Sequence, residues 1–126
     1  MFELILVAAL SSCANPSILS AGVQSATTDG ALRRYTIAIT VQNRGNVRQP
    51  SNLLQSVIVL QDGQKVNQIG LQPLRPKQSQ KVTYSFDRAA EAGAGTTDLT
   101  FTLDFNGRSG NNIDCHAGND TFAISV

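Results

Sequence analysis

The chain has 126 residues, a formal net charge of +1 and only 15% charged side chains. That length suits one domain with a packed core, and 41% hydrophobic content at near-zero net charge excludes an intrinsically disordered chain. Ten cations against nine acids leave no basic stripe for nucleic-acid binding, and two cysteines, one histidine and no tryptophan offer little material for a metal centre or a nucleophile.

Phe2 to Leu10 is an apolar run broken only by Glu3. It has about half the roughly 20 residues needed to cross a bilayer. Ser11-Ser12-Cys13-Ala14 follows it, as small residues follow the core of an export signal. Leu10-Ser11-Ser12-Cys13 resembles the bacterial lipobox, which is cut before a cysteine that then carries lipid. Ser12-Cys13-Ala14 also fits ordinary signal cleavage, which removes Cys13. Met1-Phe2-Glu3 lacks the Lys or Arg of a signal, and the same run reads as well as an apolar strand. Residues 1–14 are therefore set apart from a domain over 15–126.

Within that domain the pattern is strand after strand. Pro16 precedes a first strand over about 17–24. Tyr35, Ile37, Ile39 and Val41 alternate with polar or small residues over 33–43. Val57-Ile58-Val59-Leu60, in 54–61, is apolar on both faces, which marks a central or covered strand. Asp62-Gly63 is a hairpin signal that returns the chain over 64–70. Val82, Tyr84 and Phe86 alternate over 79–87, Leu99, Phe101, Leu103 and Phe105 over 97–106, and Phe122, Ile124 and Val126 over 120–126. Arg88 to Gly95 reads as a loop with at most one turn. Seven such strands predict an all-β, immunoglobulin-like, seven-stranded antiparallel β-sandwich.

The order of several features resembles one family. Asn15-Pro16-Ser17-Ile18-Leu19 opens the domain, Val41-Gln42-Asn43-Arg44-Gly45-Asn46 ends a long strand, and Asp62-Gly63 follows the third strand. Leu74, Pro76 and Ser79 precede the fifth, and Leu103-Asp104, Asn106 and Asn119-Asp120-Thr121 close the pattern. This is similar to CARDB, the cell adhesion related domain found in bacteria. The resemblance implies an immunoglobulin-like module that binds or spaces at the cell surface without chemistry. The family's last loop carries more acid than Asp114-Cys115-His116-Ala117-Gly118-Asn119-Asp120 does here.

Few residues suggest chemistry. Cys13 and Cys115 fall at the same end of such a sandwich, so a disulfide is allowed if Cys13 is retained; lipidation or removal of Cys13 excludes it. Asp104, Asp114 and Asp120 are weak calcium candidates whose spacing misses the twelve-residue calcium loop. His116, the one histidine, reads as an exposed loop residue rather than half of a Cys-His pair. Asn43-Arg44-Gly45-Asn46 reads as a corner whose Asn and Gly accept positive φ, and with Asn111, Asn112 and His116 it forms the candidate binding loops. Arg33-Arg34, and Arg75 with Lys77 and Lys81, read as charges that discourage edge-to-edge strand pairing.

The expected function is a non-catalytic binding or adhesion module without a cofactor, exported to the bacterial cell envelope or secreted, and in one form a small lipoprotein. Its expected partners are a protein or a cell-surface glycan, with a membrane tether at the N-terminus and self-association through Val57, Ile58, Val59 and Leu60. The rival reading is a subunit of a surface filament or secretion complex, with residues 2–10 as an assembly strand.

Overall fold

A computed structural model describes residues 13–91, 95–105 and 121–126. It contains seven strands and, among the described residues, no helix: β1 Pro16–Asp29, β2 Leu32–Asn43, β3 Gln55–Gln61, β4 Gln64–Leu71, β5 Ser79–Ala89, β6 Asp98–Phe105 and β7 Thr121–Ser125. They form a three-stranded sheet in the order β1-β2-β5 and a four-stranded sheet in the order β4-β3-β6-β7. Every pairing is antiparallel. The predicted sandwich is the observed one.

The alternating residues meet between the sheets as expected. Ile37, Ile39 and Val41 of β2, Val57 and Val59 of β3, and Leu99 and Phe101 of β6 are fully buried. Val82 and Phe86 close the β5 side of the core, and Tyr35, Tyr84, Phe122, Ile124 and Val126 pack half-buried against it. Each fully buried aliphatic or aromatic side chain contributes about 1.5–3 kcal/mol. Ile58 and Leu60 face outward and are half-buried, on a strand paired on both sides by β4 and β6.

Two differences from the sequence reading have clear causes. β1 runs on to Asp29, because the turn to β2 is the two-residue loop Gly30–Ala31 between Asp29 and Leu32. Gly30 has φ 61, as the first position of a type II′ hairpin turn requires. β5 likewise continues through Arg88 and Ala89, paired with Arg33 and Leu32, so the predicted loop begins later. Asp62 and Gly63, at φ 50 and 85, form the expected hairpin turn.

Register breaks occur only in β1, after Ile18 and after Val23, and between Val59 and Leu60 opposite β4. β1 and β4 are edge strands, where bulges hinder pairing with another chain. Lys81 lies on β5, also an edge, in line with the expected protective charge. Arg33 and Arg34 lie on β2, the centre of its sheet, and do not guard an edge. Arg34 instead makes a bidentate pair with Asp87 opposite it, at 2.8 and 3.2 Å, and Arg33 donates to Thr28 at 2.8 Å.

Candidate binding end

One end of the sandwich, the corner end, gathers the start of β1 with the connections 44–54 and 72–78. The opposite, hairpin end carries both tight turns. Asn43, fully buried at the close of β2, organises the corner end. Its Oδ1 accepts the backbone N–H of Asn15 at 2.9 Å and of Gly45 at 3.0 Å. Its Nδ2 donates to the carbonyls of Val47 at 2.8 Å and Leu74 at 3.1 Å. One side chain thus satisfies backbone groups from three segments that no sheet ladder reaches.

Gly45 permits the closeness of that junction. A Cβ there would stand 2.1 Å from the carbonyl oxygen of Cys13 and 2.8 Å from the amide nitrogen of Asn15. Among the described residues positive φ occurs at Gly30, Asp62, Gly63, Lys77 and Gly95. Asn43, Gly45 and Asn46 are not among them, which corrects the expected reason for the corner. The asparagine is there for its buried amide and the glycine for want of space.

A second amide pair lies beside it. Gln49 and Gln55, 1% and 5% exposed, exchange reciprocal side-chain hydrogen bonds of 2.9 and 2.8 Å. Gln49 Oε1 also accepts Leu74 N–H at 2.8 Å, and Gln55 Nε2 donates to Gln72 O at 2.8 Å. Backbone bonds from Gln49 to Leu74 at 3.0 Å and from Lys77 to Asn43 at 2.7 Å complete the lock. Sequence reasoning missed this pair: Gln49 sits between Arg48 and Pro50 and carries no periodic signal of burial.

Above this buried layer the same loops present Arg44, Arg48, Arg75 and Lys77 to solvent, with the exposed apolar Val47 and Leu54. Lys77 Nζ donates to Arg44 O at 2.6 Å. The candidate Asn46 is exposed on the same turn as Arg44, whereas Asn43 and Gly45 are its supports.

The hairpin end is organised differently. Arg88 donates to Thr97 Oγ1, to the Val126 carbonyl and to the Tyr35 hydroxyl, and lies 4.8 Å over the Tyr35 ring. Tyr35 stacks on Phe86 at 5.3 Å. Arg88 therefore clips β5, β2 and the chain beyond β7 together, while its buried Nε has no partner among the described residues. The exposed Arg34 guanidinium holds the Asp87 carboxyl below its ordinary value, chiefly through their hydrogen bond. Burial raises the Tyr84 phenol above its ordinary value.

The other candidates separate by position. Cys13 is half-buried at the corner end and is not a free thiol. Asp104 lies on β6 opposite Ser56, and no three His, Cys, Asp or Glu residues cluster as metal ligands among the described residues. Asn111, Asn112, Asp114, Cys115, His116 and Asp120 lie outside the described residues, as does the apolar run Phe2 to Leu10.

No family model and no curated protein matches the chain. Among solved structures it is similar to the crystal structure of the CARDB domain of the PF1109 protein from Pyrococcus furiosus in complex with di-metal ions. That match has a TM-score of 0.63 and 17% identity, over 90% of this chain and 87% of that one. A solution NMR structure of the same domain gives a TM-score of 0.57 and 16% identity, over 91% and 94%. At these identities the likeness is one of architecture, and in architecture the chain is a CARDB-type immunoglobulin-like sandwich.

Proposed function

We propose that this chain is a non-catalytic binding module of the bacterial cell envelope that holds its partner at the corner end. The observation that carries the reading is the two-tier build of that end. Buried amides of Asn43, Gln49 and Gln55 fix the loops from beneath, and exposed Val47, Leu54 and four cations stand on top. Loops ordered during folding lose little entropy on binding, and exposed apolar side chains on a fixed surface favour a covering partner. The CARDB architecture supports adhesion over turnover.

Of the fates open to Cys13, we adopt pairing with Cys115, the only other cysteine. Residues 13–15 are built into the corner rather than standing ahead of a linker: Ala14 is 1% exposed, and Asn15 donates its N–H to Asn43 Oδ1 and accepts the Arg44 N–H at its carbonyl. A disulfide there fits an oxidising, exported location, and it excludes a lipid on the same sulfur. The rival filament reading takes residues 2–10 as an assembly strand, and the observation in its favour is an open edge for such a strand to extend: β5, eleven residues in unbroken register with β2.

The test is saturable binding of the purified full chain to envelope fragments. Replacing Arg44–Arg48 by a Gly-Ser stretch should abolish binding, whereas Arg34→Ala at the hairpin end should preserve it. Equal effects of the two changes, or assembly lost on deleting residues 1–12 with no partner bound, would overturn the reading.

A further inference from the structure

We infer that the corner end docks on an anionic lipid bilayer, an inference that rests on the binding-end reading above and names its ligand. Charge is the first argument. The segments 41–61 and 71–81 contain Arg44, Arg48, Arg75, Lys77 and Lys81 and no aspartate or glutamate. Among the described residues, with Asp104 included, this end carries five cations against one acid, while the hairpin end carries four against five. The one ion pair among the described residues, Arg34 with Asp87, is on β2 and β5 away from these loops. The corner cations are therefore available to an external anion.

Backbone conformation is the second. Lys77 holds φ 66, a left-handed conformation that glycine adopts at least cost. It keeps its exposed ammonium on this face, tied by Nζ to the Arg44 carbonyl. The lysine thus occupies a position where local backbone preference favours a residue with no charge.

The apolar residues decide the class of partner. Leu54 is 66% and Val47 38% exposed on these same loops. Cations beside protruding aliphatic side chains fit an interface in which phosphate headgroups overlie acyl chains. A soluble polyanion offers nothing for Leu54 to enter.

The experiment is flotation of the full chain with phosphatidylcholine vesicles, with and without phosphatidylglycerol. Anionic vesicles should bind at least about tenfold more tightly, and the combined change Arg44→Gln, Arg48→Gln, Arg75→Gln and Lys77→Gln should weaken that binding at least about 100-fold. Arg44→Lys with Arg48→Lys and Arg75→Lys should retain it, and Val47→Ser with Leu54→Ser should lower it severalfold. Circular dichroism melts establish that each variant folds. Three results would overturn the inference: equal binding to neutral vesicles, wild-type binding by the glutamine variant, or capture of soluble polyphosphate as tight as that of anionic vesicles. Envelope binding that depends on the corner loops without any vesicle binding would sink this inference and leave the binding-module reading standing.

Discussion

Substituting alanine for glycine at three positions separates lack of space from backbone conformation as the reason for each glycine. At Gly45 the added Cβ meets the Cys13 carbonyl oxygen at 2.1 Å, where ordinary contact begins at 3.4 Å. Residues 13–15 must then retreat by about 1 Å, which stretches Asn15 N–H to Asn43 Oδ1 from 2.9 Å and Arg44 N–H to Asn15 O from 2.8 Å. Losing two such bonds, each about 1 kcal/mol net with a further penalty for a buried group left unpaired, gives about 3 kcal/mol of destabilisation. Gly63→Ala meets nothing within 4 Å but has φ 85, so it should cost about 1–2 kcal/mol through conformation alone. Gly22→Ala has open space and ordinary φ and should fall within about 0.5 kcal/mol of wild type. Urea unfolding measures all three: the midpoints should fall in the order Gly45, Gly63, Gly22, with an unchanged slope. A Gly45→Ala midpoint indistinguishable from that of Gly22→Ala would refute the account of the corner.

Four further outcomes follow from the same structure. Asn43→Ala leaves two N–H donors and two carbonyls without their partner and should destabilise by about 3–5 kcal/mol in chemical denaturation. Gln49→Leu and Gln55→Leu should each destabilise, yet the double variant should lose less than the two together, because neither leucine then faces an unpaired amide; a double-mutant cycle reads this coupling. Because the folded pKa of Asp87 is lowered by Arg34, its contribution is present above the unfolded carboxyl value and disappears as pH falls through the folded one. Arg34→Ala should move the Asp87 titration, followed by NMR, back up toward the ordinary value. If Cys13 and Cys115 pair, Cys13→Ser and Cys115→Ser should lose the same stability under oxidising conditions, up to about 4–5 kcal/mol for a loop of about 100 residues, and neither should differ from wild type in reductant.

The sandwich was legible because four strands keep period two, which gave the buried face of each, while the apolar run Val57 to Leu60 and the Asp62-Gly63 turn marked the central hairpin. β1 reads short because the residues paired with Val41, Ile39, Ile37 and Tyr35 are Ile18, Ala21, Val23 and Ala26, of which only Ile18 is buried and Val23 is 51% exposed. Each bulge adds a residue and breaks the alternation; Asp29-Gly30, the same dipeptide that marks the second hairpin, was the available signal. The corner was placed correctly from Asn43 to Asn46 but for the wrong physical reason, since turn chemistry and a buried amide use the same residue types. Gln49 had no signal, since an isolated glutamine in a loop looks solvated until the chain closes over it; Gln55 opens β3 in step with the buried Val57 and Val59, but a strand apolar on both faces hides which face is inward. The cationic surface was visible only in pieces, because Arg44 and Arg48 are separated from Arg75 and Lys77 by a whole hairpin.

Three uncharged carboxamides fasten the corner, and none of them changes protonation between acid and alkali. What stands on that framework is cationic, so its attraction for an anionic partner weakens in brine while the framework underneath stays indifferent. On the proposed reading, attachment and folding therefore answer to different solvent variables: a salt wash should strip the protein from an anionic surface and recover it still folded.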